Sequence, residues 1–500
     1  MTAVDVSRDP RTGAAGGEIA HSTPPQIEAV LARAAAAAPV LAATAPAVRS
    51  RWLHAVADAL EAAAEELVAL ADAETALGRP RLPGELTRTA GQLRFYGDVA
   101  AEGSYLDVTL DRATATAPAL ARVRVPLGPV AVFGASNFPF AFSVLGNDTA
   151  SALAAGCPVV VKAHPAHPWL SQRLSEIARA ALAAAGAPAG TFDVVVGFDA
   201  GVALVRDPAI QAVGFTGSQR AGLALRELAN QRDVVIPVYA EMGTVNPAVI
   251  TATVAADPGT VGRLLRDFVA SFTLGSGQYC TKPGLLFVPA GHQLTGRAAE
   301  ALLSAAPEGW SLTERIAAEA ESGVDELVAA GATVVASVDG RGAGWSVGAT
   351  LLSVPMPALR SGSRLLSEVF APIALVAEYL NLTELVATLG QLQGALAASV
   401  FAAGDDPHLE ALLAALSPMA GRVVCGQWPT GVAYTWAQHH GGPWPATSDP
   451  GATSVGAAAL GRFTRPLVYQ NVPDAALPEP LREGNPWGLP RRIDGRRTAP

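Results

Sequence analysis

Cys280 lies in "GSGQYCTKPG", a loop of small and polar residues just ahead of the apolar run "LLFV". A cysteine kept for packing sits among aliphatic neighbours and behaves as a small hydrophobe. Cys280 lacks such neighbours and is a candidate nucleophile, reactive as its thiolate. Glu241 closes the run "VVIPVYAE", which reads as a strand. A carboxylate there is either a solvated rim charge or a proton acceptor at the functional end of an open sheet. "GFTGSQRAG" sets Gly217 and Ser218 between a predicted strand and a predicted helix. Backbone amides at such a helix N-terminus can face a pyrophosphate. The three-glycine dinucleotide fingerprint is missing, since "GSGQYC" and "GRGAGW" both lack its third glycine. The chain has two lysines, Lys162 and Lys282, so any role that needs an ammonium group is easily traced.

These residues need a scaffold, and hydrophobic periodicity predicts one. Trp52, Val56, Leu60, Ala63, Leu67 and Leu70 recur at spacings of three and four, predicting helices over 26–77 with one buried stripe. From 105 the alternation in "YLDVTLDRATATAPALARVRVPLGPVAVFGA" predicts an extended hairpin leading into a buried strand. Strand 158–162, helix 171–186, strands in "TFDVVVG" and "IQAVGF", helix 218–230 and strand 234–241 follow. Such alternation predicts a parallel sheet covered on both faces. A second α/β block runs through helix 260–274, strand 284–288, helices 296–304 and 314–330, and strands 332–337, 373–379 and near 399 and 423. After 455 one more strand candidate precedes a Pro-, Gly- and Arg-rich tail whose last dozen residues read as disordered.

Five hundred residues allow two or three domains with sizeable cores. A net charge of -9 and a pI near 5.5 argue against nucleic-acid and anionic-membrane partners and leave a small molecule. The N-terminus "MTAVDVSRDPRTG" has no apolar core and is not a signal peptide. The apolar stretches are broken by Arg33, Asn137, Asn147, Asp148 and prolines, so no membrane span is expected. Cys157, Cys280 and Cys425 are no disulfide framework; the expectation is a reducing, cytoplasmic setting. Cys157 and Cys425 are read as core thiols. His439 and His440 are adjacent but lack further ligands in the sequence, so no metal is expected.

In order along the chain, "SNFPF" (136–140), "PVVVKAHP" (158–165), "FTGS" (215–218), "AEMG" (240–243), "GQYC" (277–280) and "EVFAP" (368–372) resemble the motif series of the aldehyde dehydrogenase superfamily. "EMGTVNP", "CTKPGLLFVPAG" and the stretch 428–456 are similar to its α-ketoglutaric semialdehyde dehydrogenase branch, which also includes a long-chain fatty aldehyde enzyme. The resemblance implies an α/β fold with a Rossmann-type cofactor domain (1–104 and 128–243) and a second α/β catalytic domain (244–440). It further implies small β oligomerisation elements (105–127 and 441–475) and a tail (476–500), in a homodimer or homotetramer.

The activity so implied is NAD(P)-dependent oxidation of an aldehyde through a thiohemiacetal and a thioester on Cys280. Glu241 would activate the hydrolytic water, and Asn137 would donate to the oxyanion. Lys162 would bond the adenosine ribose, with His164 beside it and Gly217 and Ser218 at the pyrophosphate. Glu368 would bond the nicotinamide-side ribose, and Phe370 would pack near the nicotinamide. The substrate is expected to be 2,5-dioxopentanoate, with fatty or other aldehydes, a CoA-acylating reaction and a silent dinucleotide-binding paralogue as alternatives. In many NAD-preferring relatives the position three after the cofactor lysine is a glutamate; here it is Pro165, so NADP is expected, with NAD possible. Three features depart from, or add to, the family pattern. Ala371 replaces the usual glycine, which is costly if φ is positive there. The interval from Glu241 to Cys280 is lengthened near 251–262. Lys282 is read as a solvated loop lysine.

Overall fold

"VAVF", "VVVK" and "AVGFTG" are too uniformly apolar for a half-exposed strand; they suit parallel strands covered by helices. In the computed structural model, which describes residues 3–498, they form the middle of a five-stranded parallel sheet. Its order is Phe192–Val195, Val159–Lys162, Val130–Phe133, Ala212–Gly217, Val238–Met242. Strand order reverses between Val130–Phe133 and Ala212–Gly217, so the crevice for a ligand opens beyond their carboxyl ends. Lys162, Gly217 and Glu241 lie at those ends, and Asn137 follows the first of them. The strand expected over 234–241 starts only at Val238. Pro237 carries no N–H for a ladder, and Val234 and Val235 remain exposed.

The second sheet has seven strands, ordered Thr333–Val338, Ala349–Ser353, Ile373–Tyr379, Pro283–Pro289, Asn246–Ile250, Ala398–Phe401, Val423–Cys425. Only the first pair is antiparallel. Cys157 is buried as expected, but Cys425 is exposed, because its strand is the outer edge of this sheet. The expectation of a core thiol there is corrected; a run of two valines does not distinguish an edge strand from a central one.

A third sheet joins Thr464–Gln470, Leu120–Pro126, Thr109–Asp111, Arg491–Ile493 and Arg496–Thr498. Its last two strands correct the reading of a disordered tail. The arginine-rich end forms a hairpin around Asp494 and Gly495, both with positive φ, that pairs with Thr109–Leu110. Two further elements were not anticipated. Helix Leu82–Glu102 packs on helix Pro46–Ala62, and an N-terminal hairpin pairs Val4–Arg8 with Ala15–Ala20. The turn of this hairpin reaches both α/β units: Arg11 pairs with Asp72 at 2.7 Å and lies over the Trp310 ring, and the Pro10 carbonyl accepts from Trp345 N–H at 2.9 Å.

Helix Pro24–Ala43 is long and apolar enough to cross a membrane by length and composition alone, with a mean hydropathy of 1.3. In the fold it buries Ile27, Val30, Leu31 and Ala34 in the core beneath the five-stranded sheet, and Arg33 pairs with Asp193 at 2.9 Å.

Candidate active site

The site is built between strand Val238–Met242 of the first sheet and the loop that leads into strand Pro283–Pro289 of the second. Strand Val238–Met242 carries Glu241, whose side chain is 3 % exposed. Residues 446–448 run beside this strand, with Met242 N–H donating to Ala446 O at 2.8 Å and Ser448 N–H to Ala240 O at 3.0 Å. That return brings His440 and Ser454 to the carboxylate: His440 Nε2 lies 3.2 Å from Glu241 Oε1, and the Ser454 hydroxyl donates to Oε2. The same imidazole nitrogen lies 3.7 Å from Cys280 Sγ. Thiol, imidazole and carboxylate thus fall within 4.8 Å of one another. The premise that His440 has no partners of ligand type is therefore corrected. They come from segments distant in sequence, and the only local signal was two histidines ahead of a glycine pair.

The charges around the thiol are unequal in effect. Burial, with the carboxylates of Glu241 and Glu368, pushes the Cys280 thiol well above its ordinary value. Burial alone would also raise Glu241, but His440 and the bonds from Ser454 and Cys280 outweigh it and hold the carboxyl below the usual range. Glu241 therefore favours its ionised form, whereas Cys280 needs a proton acceptor in contact with it, which the Glu241–His440 pair provides.

The nucleophile loop is fixed from several sides. Asn246 Nδ2 donates to the carbonyls of Cys280 at 2.8 Å and Lys282 at 3.0 Å, a role that sequence reading missed. Asn137, 7 % exposed, donates from Nδ2 to Gln278 O at 2.9 Å, and the second N–H of that amide remains for an oxyanion. Gly277 has φ +67°, and a Cβ there would collide with the Ala371 carbonyl. Ala371 itself does not take a positive φ, so the loss of the family's glycine leaves this backbone unstrained.

Lys282 is buried, not solvated. Its ammonium donates to the carbonyls of Val369 and Ala371, both at 2.6 Å, and so ties the loop of Glu368 and Phe370 to the nucleophile loop. Burial lowers its pKa and raises that of Glu368, each opposed by the charge of the other.

Whether these residues suit a dinucleotide is tested by the polar groups left over. Glu368 Oε1 and Thr216 Oγ1 are buried without a partner, as acceptors waiting for hydroxyl donors would be. Gly243 lets the Glu368 carboxylate lie against the backbone, where any Cβ would overlap it. Gly217 and Ser218 are exposed at the start of helix Gln219–Asn230, Ser218 capping it by accepting from Ala221 N–H at 3.3 Å. Lys162 makes no ion pair among the described residues. His164 is held neutral by burial and by the charges of His167, Lys162 and Arg315. Its Nδ1 accepts from Ala166 N–H at 3.1 Å, leaving Nε2–H to donate.

A partly exposed cysteine with a buried histidine and carboxylate beside a dinucleotide crevice defines a thiol-dependent dehydrogenase site. Residues 4–465 match the model of the aldehyde dehydrogenase family. The chain is 43 % identical to α-ketoglutaric semialdehyde dehydrogenase 2 of Azospirillum brasilense over 90 % of its length and 87 % of that protein. It is 38 % identical to the α-ketoglutaric semialdehyde dehydrogenase of Acinetobacter baylyi, over 89 % and 86 %. The crystal structure of an NAD-dependent aldehyde dehydrogenase from Sinorhizobium meliloti superposes with a TM-score of 0.79 at 23 % identity, covering 95 % and 92 % of the two chains. The chain belongs to the aldehyde dehydrogenase family and is an oxidoreductase that oxidises aldehydes with NAD(P).

The lysine tie makes one prediction. Lys282→Met keeps the stem and removes both carbonyl contacts, so the loop of Glu368 should loosen and the dinucleotide Kd rise about tenfold, equivalent to about 1.4 kcal/mol. Titration of NADP+ and NAD+ by protein fluorescence checks this, and an unchanged Kd for both would show that the tie does not position the loop.

Proposed function

We propose that this enzyme oxidises 2,5-dioxopentanoate to 2-oxoglutarate, with Cys280 as nucleophile and His440 and Glu241 as its proton relay. The observation that carries the mechanism is the shared His440 Nε2, 3.7 Å from the thiol and 3.2 Å from the carboxylate. The thiol gives its proton to the Glu241–His440 pair, and the thiolate adds to the aldehyde carbon. The oxyanion meets the free N–H of Asn137 and the Cys280 backbone amide. When bound, the nicotinamide supplies the acceptor for the hydride that leaves this carbon. Once that proton has passed to solvent, Glu241 is ionised again and takes a proton from water; hydroxide displaces the thiolate, and carboxylate and protons leave. The substrate follows from the two relatives that share more than a third of their residues with this chain along nearly its whole length. A hydrolytic base at Glu241 argues for water rather than CoA as acyl acceptor. The three free cysteines support a reducing, cytoplasmic setting.

NADP+ is the preferred cofactor in this reading. Pro165 is exposed just beyond Lys162 and puts no carboxylate where a 2′-phosphate must lie, while Lys162 and the Nε2–H of His164 remain as donors. The assembly is a homodimer or homotetramer. Thr464–Gln470 and Val423–Cys425 are unpaired sheet edges, and Val468 is half exposed on the first. Such edges call for a neighbouring chain.

Cys280→Ser should abolish turnover and leave dinucleotide binding intact. Glu241→Gln should give one equivalent of reduced cofactor and then stall as an acyl-enzyme visible by mass spectrometry. Turnover by the serine variant, or a glutamine variant with neither burst nor trapped acyl group, counts against these roles. Wild-type kcat/KM should favour NADP+, and Pro165→Glu should move the preference toward NAD+ by about tenfold or more, the effect of a like-charge contact; an unmoved ratio sinks the assignment. Light scattering at micromolar concentration should give a dimer or larger, and a stable monomer removes the claim.

A further inference from the structure

Two arginines stand beside the nucleophile and differ in how their charge is met. Arg81 immediately precedes helix Leu82–Glu102, and Arg88 follows seven residues later, two turns on along the same face. Arg81 lies over the rings of Phe138 at 4.7 Å and Tyr279 at 5.1 Å. Arg88 lies over Phe138 at 5.7 Å and Tyr434 at 4.8 Å. Phe138 follows Asn137, and Tyr279 precedes Cys280; their rings meet edge to face at 5.0 Å. These rings belong to an apolar cluster with Phe142 and Val455, and Phe142 packs against His440 with ring centroids 6.4 Å apart. The wall beside the thiol is thus aromatic, with guanidinium groups set into it.

Arg81 has a counter-ion. It lies 3.3 Å from Glu85, whose side chain is 3 % exposed, and donates to Asn137 O at 2.6 Å. Arg88 forms no ion pair among the described residues, and its Nε is buried without a hydrogen-bond partner. Its guanidinium is half-buried and lies between two aromatic faces. A carboxylate arriving in that apolar setting is bound by charge-assisted hydrogen bonds stronger than any it would make in water.

We propose that Arg88 is the specificity-determining residue of this enzyme, receiving the carboxylate at the end of the substrate distal to the aldehyde. The substrate class is then a short ω-aldehyde acid, long enough to run from Cys280 along Tyr279 and Phe138. Arg81, neutralised by Glu85, serves as the aromatic wall's support. This inference rests on the substrate reading above and adds the residue that enforces it.

The test compares wild type, Arg88→Met and Arg88→Lys on 2,5-dioxopentanoate and on pentanal, which has the same carbon count and no carboxylate. Glutarate, a dicarboxylate without an aldehyde, is added as a competitor against pentanal. In Arg88→Met the ratio of kcat/KM for the two aldehydes should fall about thirtyfold, mostly through KM, as expected for an arginine that binds a buried anion. Arg88→Lys should recover part of it, and glutarate should compete in wild type and not in Arg88→Met. A ratio left unchanged, or a variant that loses both aldehydes alike, overturns the assignment to Arg88. If wild type prefers pentanal, the substrate reading falls, and the glutarate arm still decides the arginine: equal competition in both proteins overturns it, and loss in the variant upholds it.

Discussion

A buried carboxylate that must stay ionised is the constraint around which this site is arranged. Left without partners, a carboxyl at 3 % exposure would take up a proton sooner than remain charged in an apolar interior. Glu241 escapes that outcome through His440 and Ser454, neither of which lies near it in sequence. Their arrival depends on residues 446–448 running beside the strand of Glu241, so the geometry of a proton relay is held by backbone bonds to a sheet. The thiol gains its reactivity from the same arrangement that otherwise suppresses it, since the carboxylate that disfavours the thiolate belongs to the pair that receives its proton.

The second buried charge pair works differently. Lys282 spends its hydrogen bonds on two backbone carbonyls rather than on Glu368, and the carboxylate keeps one oxygen unpaired. An ammonium used in this way fastens loops, and the acid beside it stays available for a ligand. The nucleophile loop and the cofactor loop are therefore one mechanical unit, joined within two residues of Cys280. An arginine would not replace this lysine well, because a planar fork cannot direct its donors at two carbonyls from so compact a head.

Much of the scaffold was legible because its signals are local. Continuous apolar runs announced the parallel strands, spacings of three and four announced the first helices, and strand 373–379 emerged with the limits read from sequence. Errors arose where the deciding interaction lies elsewhere in the chain. The tail looked disordered because its arginines show no apolar alternation, yet it has an edge strand at Thr109–Leu110 to pair with. Cys425 looked buried because two valines precede it, yet nothing in "RVVC" says that its strand is outermost. Within the site, Cys280, Glu241 and Asn137 were visible as residue types in motifs, and they lie around one crevice. His440, Asn246 and the burial of Lys282 were not, because their meaning is set by contacts made across long stretches of sequence.

The N-terminal hairpin carries a consequence for motion. Two α/β units joined by one chain are by default free to swing about their linker. Here the hairpin turn is bonded to Asp72 on one unit and to the backbone of Trp345 on the other, with Arg11 resting on Trp310. A clasp across the gap opposes wholesale opening, because its attachment to one unit or the other must break before the units part. Exchange of a large, charged cofactor must then rely on smaller parts giving way, such as the loop of Glu368 and Phe370. Product release becomes a question of how quickly a few residues rearrange, and the clasp sets the rigid frame against which they do so.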